Sequence, residues 1–266
     1  MHPAFWYAFG LSALAGISTG IGSLLGIFAK RSNPRFLSVA LGFSAGVMIY
    51  ISMVELLVDA QHRLAHAWGP KGGGWIAAGA FFGGMLLITV IDRLVPHVIN
   101  PHEIHSPKEM AEQPGRHKLL KTGLMTAVAV GVHNFPEGMA TFFSALHDPA
   151  TGAFIAVAVA VHNIPEGIAV SVPIYYATGN RKKAFAYSFF SGVAEPIGNM
   201  IGFLVLAPYL SETLFGIVFA SIAGIMVFVS LDELLPTARE YGEHHFAISG
   251  VVSGMAVMAV SMLLAK

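Results

Sequence analysis

Two stretches of this chain carry the same polar hexad within an apolar run: GLMTAVAVGVHNFPEGMATFFSAL at residues 123–146 and FIAVAVAVHNIPEGIAVSVPIYY at residues 154–176. A helix of about 20 apolar residues is long enough to cross the hydrocarbon core of a bilayer. Each hexad lies near the middle of its run. The pattern therefore predicts two adjacent, antiparallel membrane spans that hold nearly identical polar groups at similar depth.

The composition extends this interpretation to the whole chain. Of 266 residues, 55% are hydrophobic and only 11% are charged, whereas about a quarter of the residues in a soluble domain are charged. Breaks at charge clusters and at Pro/Gly turns predict an all-α polytopic membrane protein with eight spans. The predicted spans are residues 4–29, 36–59, 73–95, 119–146, 151–176, 184–210, 212–231 and 245–265.

Charge and cysteine content exclude several functions. Fifteen Lys and Arg balance fifteen Asp and Glu, which offers no basis for binding nucleic acid. If both termini lie outside the cell, twelve of the fifteen basic residues fall in the inner loops, as the positive-inside rule favours. The chain has no cysteine, which excludes thiolate zinc sites and Fe–S clusters and leaves His and carboxylate as strong metal ligands.

The sequence also contains internal repeats. Residues 45–60, AGVMIYISMVELLVDA, share eight of sixteen positions with residues 223–238, AGIMVFVSLDELLPTA, and residues 16–26 more weakly match residues 192–202. These matches pair span two with span seven and span one with span six. An offset of five spans places the copies in opposite senses in the membrane, as in the inverted repeats of many secondary transporters. The predicted plan is 3+2+3, with the hexads in the central pair.

The hexads have the chemistry of a metal site. On a helix, a histidine and a glutamate four residues apart share a face with the asparagine between them, so His133 and Asn134 project beside Glu137. Each glutamate can join an imidazole on one side and an amide oxygen on the other, which suits a pair of bridged ions. The matching residues of the second hexad are His162, Asn163 and Glu166.

A third intramembrane acid, Glu195, precedes a proline in span six. An ionised carboxylate at mid-membrane costs roughly 2.5–3.5 kcal/mol on insertion scales, so such groups need a compensating charge. Divalent cations would supply it, and His, Asn and Glu ligands suit Zn(II), Fe(II), Mn(II) or Co(II). The sequence thus predicts a transporter of divalent transition-metal ions, without a bound cofactor. The alternatives are a membrane-embedded di-metal carboxylate enzyme and a proton- or sodium-coupled carrier of an organic ion.

With doubled HNxPEG hexads followed by Glu195, the chain resembles the ZIP (Zrt/Irt-like) metal transporters, closest to a bacterial branch of that family. The resemblance covers essentially the whole chain. It implies an eight-helix protein of the cell membrane, often homodimeric, that moves zinc and other divalent metals, including iron, manganese, cobalt and cadmium, into the cytoplasm.

The resemblance also implies two ligand sets, with glutamates that bridge them. The first set is His133, Glu137, His162 and Glu166, and the second is Asn134, Glu137, Asn163, Glu166 and Glu195. On this basis residues 1–266 form a single transmembrane transporter domain.

Several other residues have two interpretations. Residues 96–118 form a predicted cytoplasmic loop with four histidines, which is either a metal-buffering segment or an irregular solvated linker. The loop histidines are His97, His102, His105 and His117. Met48 of span two either adds a thioether ligand or packs in the apolar core. The other candidates either serve the metal pathway or occupy helix ends and interfaces for structural reasons, and they are Glu55, His62, His66, His147, Asp148 and Glu233.

Overall fold

The computed structural model describes residues 3–28, 34–94, 116–209, 211–241 and 244–265, and all regular structure in these residues is helical. Nine α-helices follow one another within these ranges. They are α1 (Pro3–Phe28), α2 (Pro34–Tyr50), α3 (Leu57–Leu94), α4 (Arg116–His147), α5 (Pro149–Thr178), α6 (Arg181–Leu206), α7 (Glu212–Val229), α8 (Leu235–Tyr241) and α9 (His244–Ala265).

Two π-helical turns interrupt the pattern. Ile51–Leu56 joins α2 to α3, and Ser230–Leu234 joins α7 to α8. A short 3₁₀ turn, Ala207–Tyr209, follows α6. Single π-helical turns within α-helices occur often at functional sites.

Helix α3 bends sharply, at Gly69 and Pro70. Gly69 has φ 73° and ψ 162°, which is not helical, and proline cannot donate the next backbone hydrogen bond. The bend separates the regions predicted as the second and third spans. The sequence prediction placed a loop over residues 60–72, but helical structure continues through most of them. At the other boundary, residues 116–118 were predicted as loop and belong to α4.

Six segments of the described chain are long and apolar enough to cross a membrane, judged by length and composition. The prediction of a multi-pass, all-α membrane protein is confirmed at this level. The segments are Ala4–Phe28, Ser38–Ile91, Pro149–Thr178, Arg181–Leu206, Glu212–Arg239 and His244–Leu263.

The helices pack in two groups. The first group consists of α1, α4, α5 and α6, which contact one another extensively. The second consists of two closely packed pairs, α3 with α7 and α2 with α9, which meet mainly through the π-helical turns and α8. Close approach in the first group depends on glycine. A Cβ at Gly138 would overlap the carbonyl oxygen of Glu195, and one at Gly167 would overlap that of Thr19. The glycine that ends each hexad therefore lets a neighbouring helix lie directly against it.

Candidate metal site

The two hexads lie on α4 and α5, and both helices continue through Pro136 and Pro165. All six polar side chains of the hexads are buried, with at most 3% of their surface exposed. They are His133, Asn134, Glu137, His162, Asn163 and Glu166.

The histidine of each hexad faces the glutamate of the other. Nε2 of His162 lies 2.6 Å from Oε1 of Glu137, and Nε2 of His133 lies 3.2 Å from Oε2 of Glu166. The groups are close enough for ion pairs, although their atoms are not aligned as hydrogen-bond donor and acceptor. The crossed pairs bring both hexads to one place between α4 and α5.

The asparagines are anchored through their amide nitrogens. Nδ2 of Asn134 donates to the carbonyl oxygen of Ser191 at 3.2 Å, and Nδ2 of Asn163 donates to that of Ala15 at 3.0 Å. These bonds orient each Oδ1 away from its anchor. An amide oxygen is a metal-ligand atom whereas an amide nitrogen is a donor, so this orientation leaves the useful atom available.

Glu195 of α6 joins the same site. Its Oε1 accepts a hydrogen bond from Nδ2 of Asn163, and its side chain is fully buried. This hydrogen bond places Glu195 beside the second hexad. Asn199, one helical turn further along, is also fully buried, and both of its side-chain polar atoms are without a hydrogen-bond partner among the described residues.

Several potential ligand atoms at this site have no hydrogen-bond partner in the described part of the chain. Buried polar atoms of this kind are rare in native structures, and each calls for an explanation such as an ion. The described residues contain no three His, Cys, Asp or Glu side chains arranged as a complete ligand group. The unpartnered atoms include both oxygens of Glu137 and Glu166, Oε2 of Glu195, and Oδ1 of Asn134 and Asn163.

Glu233 is the residue at the site whose role the sequence left undecided. It lies in the π-helical turn Ser230–Leu234, and its Oε2 is 3.6 Å from Nδ1 of His133. The signal for it was the repeat that aligns Glu233 with Glu55, since both acids fall in apolar segments. Only the packing shows that Glu233 contacts the site. Glu55 instead lines a separate cavity of about 290 Å³ with Asp148 and Met258.

The other candidates have structural explanations or lie apart from the site. Met48 is packed in the apolar core. The carboxylate of Asp148 caps the N-terminus of α5, where it accepts from the Ala150 amide and the Thr151 hydroxyl. The hydrogen bond from Thr151 holds the pKa of Asp148 below its ordinary value.

Three of the histidine candidates are described with their side chains, and these three are exposed, unlike the buried site. His62 and His66 are exposed on α3, and His147 is exposed at the end of α4. His97, His102 and His105 lie outside the described residues, while His117 falls in the first turn of α4.

The chain is similar in sequence to known metal transporters. The profile of the ZIP zinc transporter family matches residues 100–262. The chain is 59% identical over 264 residues to the zinc transporter ZupT of Streptococcus mutans, covering 99% of each chain. It is 60% identical over 260 residues to ZupT of Oceanobacillus iheyensis, covering 97% of each.

This chain belongs to the ZIP zinc transporter family. Membership confirms the resemblance inferred from the hexads. It also confirms the prediction of a divalent-metal transporter over the alternative of a membrane di-metal enzyme.

Proposed function

We propose that this protein carries zinc, and with it other divalent transition-metal ions such as iron, manganese, cobalt and cadmium, across the cell membrane into the cytoplasm. The observation that carries the proposal is the crossed pairing of His133 with Glu166 and of His162 with Glu137. It gathers two imidazoles and two carboxylates from adjacent helices in a fully buried place.

The balance of charge favours a cationic substrate. Glu137, Glu166 and Glu195 are all buried, and among the described residues only the two imidazoles face them as groups that can become positive. The buried guanidinium of Arg63 is already paired, at 2.7 Å from Asp59 and 2.5 Å from Glu212. Three buried acids are costly without compensation, and a divalent ion offsets two negative charges at once.

We assign the buried His, Asn and Glu side chains of the site to two adjacent metal-ion positions. The first position takes His133, Glu137, His162 and Glu166, and the second takes the amide oxygens of Asn134 and Asn163 with the carboxylate of Glu195 in place of the imidazoles. Glu137 and Glu166 bridge both. The hydrogen bond from Asn163 to Glu195 supports the second set, because it places these two side chains together.

The proposed architecture is eight spans in a 3+2+3 inverted repeat. The π-helical turns Ile51–Leu56 and Ser230–Leu234 fall at matching positions of the two aligned segments, which supports their equivalence. The bend at Gly69 and Pro70 supports dividing Ser38–Ile91 into two spans. Residues 1–266 then form one transporter domain.

The proposed topology has both termini outside and residues 96–118 in the cytoplasm. Since the chain has no cysteine, single cysteines report topology directly. Ala150→Cys should react with an impermeant maleimide on intact cells, whereas Asn180→Cys should react only after permeabilisation. The reverse pattern would contradict the orientation. We also propose a homodimer, which native mass spectrometry of the purified protein tests.

Uptake by proteoliposomes tests the function. Vesicles that contain the wild-type protein should accumulate zinc, and parallel vesicles offered iron, manganese, cobalt and cadmium should define the range of metals. Vesicles with Glu137→Ala protein serve as the control for leakage. Equal zinc accumulation in the two preparations would overturn the proposal.

A further inference from the structure

We propose that Glu233 is a positioning residue that orients the ring of His133, so that Nε2 is the nitrogen presented to the metal. This inference rests on the proposed function and concerns the same site. Glu233 belongs to neither hexad and to neither ligand set described above.

The imidazole of His133 lies between two carboxylates. Nδ1 is 3.6 Å from Oε2 of Glu233 on one side, and Nε2 is 3.2 Å from Oε2 of Glu166 on the other. A neutral imidazole carries a proton on one nitrogen and a lone pair on the other. Both nitrogens face carboxylates, and Glu166 is the nearer of the two. When a metal ion takes the lone pair of Nε2, the ring proton is on Nδ1, beside the carboxylate of Glu233.

The second histidine has the same arrangement with a different partner. Nδ1 of His162 lies 3.1 Å from the carbonyl oxygen of Ala158, while Nε2 lies 2.6 Å from Oε1 of Glu137. The carbonyl oxygen of Ala158 can accept a hydrogen bond from Nδ1 when a metal ion takes the lone pair of Nε2. Both rings therefore present Nε2 to a glutamate, and Glu233 does for His133 what a backbone carbonyl does for His162.

Oxygen acceptors that orient metal-binding histidines are a general feature of metal sites. They fix the tautomer and ring orientation, and their removal typically lowers metal affinity by about 10–100-fold. Glu233 fits this role because it is buried and its carboxylate lies on the Nδ1 side of the His133 ring, away from Glu166.

Glu233 also reaches His133 from the other group of helices. His133 is on α4 of the first group, whereas Glu233 follows α7 of the second. The orientation of a metal-binding ring in one group thus depends on an acid in the other. A second polar contact between the groups is the hydrogen bond from the Ser44 hydroxyl to the carbonyl oxygen of His162, at 3.3 Å.

Zinc titration of purified protein tests whether Glu233 supports metal binding through His133. Glu233→Leu removes the acceptor at similar size, and we expect it to weaken zinc binding by about ten-fold or more and to raise the KM for uptake. Glu233→Gln keeps a carbonyl oxygen that can accept from Nδ1, so its affinity should fall between those of wild type and Glu233→Leu.

A double-mutant cycle separates positioning from a general structural effect. If Glu233 acts through His133, Glu233→Leu should cause no further loss of zinc affinity in the His133→Gln background. Glu55→Leu changes the aligned acid of the other π-helical turn and serves as the matched control, whose effect should add to that of His133→Gln. An equal loss of affinity from Glu233→Leu in both backgrounds would overturn the inference.

A measurement on the wild-type protein does not depend on how the Glu233 variants fold. ¹⁵N histidine spectra of zinc-loaded protein should show His133 protonated on Nδ1 and bound to the metal through Nε2, with its signals identified by their absence from His133→Gln protein. Protonation on Nε2 would overturn the inference. Failure of wild-type vesicles to take up zinc would instead count against the proposed function, because the ¹⁵N measurement requires no transport.

Discussion

Nε2 of His162 lies 2.6 Å from Oε1 of Glu137, so the histidine of one hexad faces the glutamate of the other. The reciprocal pair, His133 and Glu166, completes the exchange. Neither hexad is therefore an independent site. A change in one hexad removes the partner of a residue in the other, and the predictions below depend on this relationship.

Removal of either bridging carboxylate should abolish transport. We expect Glu137→Ala or Glu166→Ala to reduce zinc uptake to the level of empty vesicles, because each glutamate is proposed to bind both ions. Glu195→Ala should be milder, since it removes a ligand from one position only. Uptake is measured at matched amounts of inserted protein. Near-normal uptake by either bridging variant would contradict the assigned site.

The contact at Gly167 should not tolerate a methyl group. A Cβ there would overlap the carbonyl oxygen of Thr19 on α1, and overpacking of this kind typically costs about 1–3 kcal/mol. We expect Gly167→Ala to lower the midpoint of thermal unfolding in detergent. Gly83→Ala is the matched control, because nothing lies within 4 Å of a Cβ built at Gly83. Equal midpoints for the two variants would argue against the close approach.

Zinc affinity should fall as the medium is acidified. Metal binding requires neutral imidazole, and the reference pKa of histidine is about 6.5, so protons compete with zinc as the pH decreases through the range where His133 and His162 titrate. The His133→Gln, His162→Gln double variant should bind zinc more weakly and with a flatter pH dependence. Titrations between roughly pH 5 and 8 make the comparison. The same slope in both proteins would show that these histidines are not ligands.

The helix cap formed by Asp148 should make the stability of the folded protein depend on pH in the acidic range. The hydrogen bond from Thr151 lowers the pKa of Asp148 in the folded protein, so the ionised cap stabilises the fold above the unfolded-state pKa. This stabilisation is lost as the pH falls through the lowered folded-state pKa. Asp148→Ala should cost about 1 kcal/mol at neutral pH, as N-cap removal typically does. Asp148→Asn should keep the cap and reduce the acid sensitivity seen in thermal unfolding.

Deletion of residues 103–115 should leave transport intact and alter mainly its regulation. The segment belongs to the predicted loop between spans three and four, outside the hydrocarbon. Uptake by the deletion protein in vesicles is the measurement, with insertion checked by the maleimide reaction of Ala150→Cys. Complete loss of uptake in a correctly inserted protein would place the loop in the metal pathway.

The sequence by itself determined those features that depend on short spacing and composition. Helix periodicity places His133, Asn134 and Glu137 on one face, and apolar runs of sufficient length define membrane helices. The boundary errors at residues 60–72 and 116–118 arose because charged and turn-forming residues can continue a helix beyond the hydrocarbon.

Only the tertiary structure decided which groups face each other. The crossed pairing of the hexads depends on the relative rotation of α4 and α5, which no spacing within one helix specifies. The contact between Glu233 and His133 joins residues 100 positions apart in different groups of helices. Its formation depends on how the two groups pack, because side-chain contacts across helices are set by packed surfaces that the order of residues along one helix does not contain.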